Sequence, residues 1–356
     1  MNGSNRIIAA LALAAGSAVT ASAEWKLNSA NNRLSDGTNW TLSVVLNSPK
    51  PGINVTGKAA GSGDLDFTDV ETDTGYKVTY IGGFNTHTEL KSLRMPDAIR
   101  IGDTGLARTG LTNVEFGVAL ETIDQYAFKY DSGSSCMLKS FSPTTLPNLT
   151  SIGLEGFLNA AALDVDFVFP RLTRVGESAF RGSGIRSVRA PNLTNIAGQD
   201  AFKGAPRLVS FYAPMVKDLP RNTFCYCNAL ADVTLLGGGK IGSDSMREVA
   251  GGAVIRFLGA APTEFEYGGS GWAGAIQCAS GDYPQIQVMH FNWLASWFPA
   301  PNGSTFTAIN EVSSGDMGKF GNCRLRRTKG LLYFTGGGRA WLVDGDCVRH
   351  TIFSVR

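Results

Sequence analysis

The stretch Pro170–Gly184, PRLTRVGESAFRGSG, is followed almost at once by Pro191–Ala205, PNLTNIAGQDAFKGA, with Phe180 and Phe202 22 residues apart. Outward from this pair the same phrase recurs as IGDTGL (Ile101–Leu106), IDQYAF (Ile123–Phe128), IGLEGF (Ile152–Phe157), LPRNTF (Leu219–Phe224) and IGSDSM (Ile241–Met246). The last residues of the seven phrases step by 22, 29, 23, 22, 22 and 22. A fixed period of this size marks a stack of small units, none of which can bury its apolar face without a neighbour.

Between the phrases lies a second element, L-x-x-Φ-x-Φ, often closed by proline. Its copies are LKSLRMP from Leu90, LTNVEFG from Leu111, LKSFSP from Leu138, LDVDFVFP from Leu163, IRSVRAP from Ile185, LVSFYAP from Leu208, LADVTLL from Leu230 and VIRFLGA from Val254. The alternation predicts a short strand, and proline, which cannot continue a ladder, ends it. Parallel stacking of eight copies from Leu90 to Leu258 gives a sheet roughly 34 Å long, lined inside by Ile and Phe. The fold class expected is therefore a repeat solenoid with a parallel β-sheet face. Its outward side chains form two stripes: Ser92, Asn113, Ser140, Asp166, Ser187, Ser210, Asp232 and Arg256, and beside them Arg94, Glu115, Ser142, Val168, Arg189, Tyr212, Thr234 and Leu258.

These residues resemble the BspA-like leucine-rich repeats, with the pattern IGxxAFxxCxxLxxΦxxP. The resemblance covers Leu90 to Pro262, including the closing RFLGAAP (Arg256–Pro262). Cysteine follows the phrase at Cys227, but Asp131, Ser183 and Ala205 hold that place elsewhere. The long third step predicts a bulging loop over KYDSGSSCM (Lys129–Met137), and the asparagine ladder of better-known leucine-rich repeats is absent. The resemblance implies a secreted bacterial protein in adhesion or host-surface contact.

The two ends read differently. Residues 1–23 combine one base, Arg6, an apolar run from Ile7 to Ala15 and Ala21-Ser22-Ala23 before Glu24, the form of a cleaved secretory signal. The run is too short to anchor in a bilayer, and no later apolar span follows. Residues 24–89 read as a β-rich cap, with strands at WTLSVVL and YKVTYIG. The solenoid occupies 90–262. Residues 263–356 read as a separate β-rich region, with a short amphipathic helix at FNWLASWF and a meander after it.

Composition excludes several classes. Of 356 residues 43% are hydrophobic, enough for a large core, and a formal charge of +2 with interspersed signs suggests neither nucleic acid nor a membrane surface as partner. The 43 glycines fit many tight turns. GGGKIG (Gly237–Gly242) matches a dinucleotide fingerprint, but Ile241 and Gly242 are in register with the repeat, which makes it a turn between rungs. His87, His290 and His350 are isolated, so no catalytic residue, metal site or cofactor is called for. DLDFTD (Asp64–Asp69) and DGD (Asp344–Asp346) lack calcium-loop spacing and read as turns. Cys227 is expected as a buried thiol, Cys136 stands about four rungs from it, and Cys323 with Cys347 flank the meander as the pair placed to staple it.

What remains is a surface. Arg94, Glu115, Asp166, Arg189, Tyr212, Asp232 and Arg256 are the candidate ligand-binding residues, with Arg189 and Tyr212 on adjacent rungs as the pair of interface-favoured side chains. The reading is a non-enzymatic exported protein that binds an extracellular protein or glycan. The alternatives are a self-associating envelope component and, with only tryptophans and scattered acids behind it, a hydrolase in residues 263–356.

Overall fold

A computed structural model describes residues 24–133, 136–250 and 253–258, and beyond them the backbone of strands at Glu264–Phe265, Ile276–Cys278, Gln285–Val288, Gly315–Phe320, Cys323–Thr328, Leu331–Gly336 and Arg339–Val343. The last four pair antiparallel in chain order. The expected signal sequence, the amphipathic helix, His290, His350, DGD and the Cys323–Cys347 staple lie outside the described residues.

The repeat coils as a parallel β-solenoid. Each L-x-x-Φ-x-Φ copy is a face strand, and each phrase opens with a short return strand whose first apolar residue turns inward. The return strands Arg100–Ile101, Thr122–Ile123, Ser151–Ile152, Arg174–Val175 and Asn195–Ile196 pair in parallel, in register, and close a ten-stranded sheet. Ile101, Ile123, Ile152, Val175, Leu219 and Ile241 are buried, as are Leu106, Phe128, Phe157, Phe180, Phe202, Phe224 and Met246 at the ends of the phrases. The phenylalanines stack along the coil axis, with centroids 5.0 Å apart for Phe128–Phe157, 5.2 Å for Phe157–Phe180, 5.2 Å for Phe180–Phe202 and 5.4 Å for Phe202–Phe224. Each ring thereby loses water on both faces, and an aromatic pair adds about 0.5–1.5 kcal/mol beyond the area buried.

The phrase itself forms the third side. Thr104, Tyr126, Glu155, Ser178, Asp200, Asn222 and Asp244 all have left-handed backbone, with φ between 51° and 63°. Such a conformation costs a non-glycine residue about 1–2 kcal/mol. Hydrogen bonds to the next rung offset it: the amides of Ser178, Phe180 and Gly182 donate to the carbonyls of Gln199, Ala201 and Lys203 at 3.0, 2.7 and 2.9 Å. The phrase glycine answers to close approach, not to φ. A Cβ on Gly176 would lie 2.5 Å from the backbone of Gly153 and Leu154 one rung below.

Parallel coiling begins before Leu90. Lys26–Asn28, Arg33–Ser35, Thr41–Leu46 and Ile53–Ala60 form antiparallel pairs that cap the coil. Ile53–Ala60 then pairs in parallel with Val78–Ile81, and Gly63–Asp66 with Leu90–Met95. The expectation that Asp64–Asp69 is only a turn is thus corrected. Leu65 and Phe67 face the core, which makes Gly63–Asp66 a face strand. At the other end, Lys240–Ile241, Met246–Val249 and Val254–Phe257 pair in parallel with Glu264–Phe265, Ile276–Cys278 and Gln285–Val288, past the point where the sequence period fails.

The 29-residue step divides into two insertions. Leu138 follows Phe128 by 10 residues where Leu208 follows Phe202 by 6, and Leu149 follows Phe141 by 8 where Leu172 follows Phe167 by 5. The first makes the exposed loop expected after Lys129, with Asp131, Ser132 and Gly133 in solvent. The second splits the face. Ser140–Ser142 pairs with Asn113–Phe116 below it, while Asp166–Val168 above pairs upward with Ser187–Arg189; back across the split run the bridge of Thr145 to Val168 and the bond from the Asp164 amide to the Lys139 carbonyl.

Candidate recognition face

Alternation along each face strand places the candidate residues outward. Between the buried Leu93 and Met95, Arg94 is exposed; Glu115 stands likewise between Val114 and Phe116, and Arg189 between Val188 and Ala190. Registers join Arg94 to Glu115, Arg189 to Tyr212 and Tyr212 to Thr234 as lateral neighbours. One placement is corrected. Arg256 pairs with Thr234, and Val254 takes the place beside Asp232. The VIRF copy opens without its leading apolar residue, so Ile255 and Phe257, matched to Val233 and Leu235, fix the frame. Leu258 follows the last paired residue.

The split separates the candidates into two patches. Arg94 and Glu115 lie below it, beside Asp64 and Asp66; the other five lie above. Nearly every charge on the face is met from a neighbouring rung. Arg94 reaches Glu115 (3.2 Å) and Asp66 (3.8 Å); Ser92 donates to Asp64 at 2.6 Å; Arg186 reaches Asp166 (2.7 Å) and Asp164 (3.3 Å). The Ser187 hydroxyl, donating at 2.7 Å, and the Arg186 guanidinium hold the Asp166 carboxyl below its ordinary value. Asp232 accepts from Arg256 at 2.5 Å. Arg189 instead lies over Tyr212, its Cζ 4.2 Å from the ring centroid.

Away from the face, the remaining chemistry is structural. Cys225 and Cys227 are buried, and Cys227 Sγ sits 3.0 Å from the Phe202 carbonyl. Burial pushes their thiols up to about 11 and about 12. His87 packs edge-on against Phe84, and burial, then the nearby Lys58, lowers its pKa. Gly237 and Gly238 turn with positive φ before Lys240–Ile241, so GGGKIG is a corner of the coil. No His, Cys, Asp and Glu cluster able to hold a metal ion occurs among the described residues. No helix among them is long and apolar enough to cross a membrane.

Sequence reasoning missed one device, a ladder of side-chain hydrogen bonds at the corners after the face strands Ser140–Ser142, Asp166–Val168 and Ser187–Arg189. The hydroxyls of Thr150 and Thr173 donate to the carbonyls of Glu121 and Thr150, and the amides of Asn148 and Asn192 to those of Val118 and Pro170, each one rung down. The repeated NLT of Asn148–Thr150 and Asn192–Thr194 was the available signal.

Residues 63–135 and 150–248 match the model of the BspA type leucine-rich repeat region, in six copies. Among curated proteins, none matches the chain. Solved structures similar to it include a leucine-rich repeat protein of T. pallidum (21% identity, 56% of this chain and 82% of that one, TM-score 0.38). Others are a leucine-rich repeat protein of Bacteroides ovatus (14%, 69% and 69%, 0.40) and the pneumococcal vaccine antigen PcpA (11%, 76% and 82%, 0.32).

Proposed function

Since this chain is a protein of BspA-type leucine-rich repeats, we propose that it is an exported, non-enzymatic recognition protein that binds an extracellular protein through the upper patch of its sheet face. The observation that carries the reading is the row Val168, Arg189, Tyr212, Thr234 and Arg256, five residues in lateral register on rigid strands, in which Arg189 is exposed, Val168, Tyr212 and Arg256 are half-buried and Thr234 is buried between its neighbours. An open solenoid face of this kind presents a broad surface, and its tyrosine and arginines are side chains that binding interfaces favour. Export rests on residues 1–23, and a mature N terminus at Glu24 is the check on it.

The test is binding of the purified protein to a panel of extracellular proteins and glycans, repeated with bulk added to the face. Ser210 is flanked by Ser187 and Asp232 in its row, so Ser210→Trp stands a large side chain on the surface without touching the core. A binder of the native protein lost by Ser210→Trp and kept by Arg171→Trp at the coil's corner supports the reading. Retention with both tryptophans rules this face out.

A further inference from the structure

Arginines at the face are matched to carboxylates one rung away, with one exception. Arg94 lies between Asp66 and Glu115, Arg186 between Asp164 and Asp166, and Arg256 against Asp232. Arg189 is exposed and has no carboxylate partner among the described residues; its guanidinium is held over Tyr212. A guanidinium placed against a ring keeps its N–H donors in a planar fork, shaped to take a carboxylate through two parallel hydrogen bonds. Ser187 and Ser210, beside the pair in the neighbouring row, leave the approach to it low.

Resting on the reading that this patch binds protein, we propose that Arg189, supported by Tyr212, receives the carboxylate of one acidic residue in a partner's peptide segment. Charge on the patch selects a single carboxylate over a polyanion. Asp164, Asp166 and Asp232 there balance Arg186, Arg189 and Arg256, so the patch has no surplus positive field to draw in a chain of anions. Recognition is then local and bidentate, not a matter of net charge.

The experiment selects a phage library of random dodecapeptides on the full chain and remakes the selected peptides with each Asp or Glu changed to its amide. The expected result is a peptide in which one such change weakens binding about tenfold or more, the loss of a charge-assisted bidentate pair. Arg189→Gln should abolish the preference for acid over amide, Arg189→Lys should keep only part of it, and Arg171→Gln, at the coil's corner, should leave it unchanged. Circular dichroism and Tm of each variant confirm that the coil is intact. A preference that survives Arg189→Gln, peptides indifferent to their acids, a selection that yields no peptide, or equal competition by polygalacturonate would each overturn the carboxylate assignment. Peptides that fail these criteria yet are blocked by Ser210→Trp would leave recognition by the face standing without it.

Discussion

At the residue scale, the repeat gives each position one environment, and chemistry follows from which environment a side chain occupies. Cys227 shows this best. It fills the inward place that Ser183 and Ala205 fill on other rungs, fully buried, and its thiol is pushed up to about 12 by desolvation. A thiolate is the reactive form, so at pH 8 in the native protein both Cys227 and Cys225 should resist iodoacetamide and label fully only after denaturation. Mass spectrometry of the peptide holding both sites measures this directly. The inward positions were legible in the sequence because each repeats at a fixed step. Arg256 was not, because VIRF lacks the leading leucine that anchors the other copies and pairing alone decides its row. The partner of Arg189 was legible as an adjacent rung, but its stacking on Tyr212 depends on a side-chain conformation that repeat spacing does not fix.

At the element scale, face strands of three to six residues are too short to be stable alone, and ties between rungs hold them. Asp166 is one such tie, accepting from Ser187 and Arg186 on the next strand. Its carboxyl is held below the ordinary value in the folded state, so its contribution is present above the unfolded pKa and is lost as pH falls through the folded one. Asp166→Asn should therefore lower Tm near neutral pH, and the gap to the native protein should close as pH falls through and below the ordinary carboxylate range. Thermal melts of both proteins across that range check the sign; a gap that widens in acid contradicts it. The division of the 29-residue step shows where element-scale reading stopped. A loop after Lys129 follows from its Asp, Ser and Gly content, but SPTTL (Ser142–Leu146) reads as an ordinary strand ending, and nothing in it announces that two face strands cease to pair.

At the scale of the whole molecule, the split face raises the question of what joins the two halves. The sheet of return strands crosses the split without a break, pairing Thr122–Ile123 to Ser151–Ile152 and that to Arg174–Val175. Phe157 also spans it. Its ring stacks on Phe128 below and Phe180 above, at 8° and 4° between planes, and touches Phe141 and Phe167 of the two separated face strands. In a solenoid, stability is a sum of rung terms and nearest-neighbour interface terms, so cooperativity survives only while each interface outweighs the difference between the blocks it joins. Phe157→Ala removes packing on both sides at once, at a cost of about 3–5 kcal/mol. The native protein should lose amide protection over residues 24–258 in a single urea transition. In Phe157→Ala, the rungs below Phe157 and those above it should open at different urea concentrations, while Phe224→Ala, far above the split, should lower the midpoint without separating them there. Hydrogen exchange followed by mass spectrometry resolves the two blocks. A single transition in Phe157→Ala would mean that the return-strand sheet, with the Thr145–Val168 bridge and the Phe141–Phe167 contact, carries the coupling without Phe157.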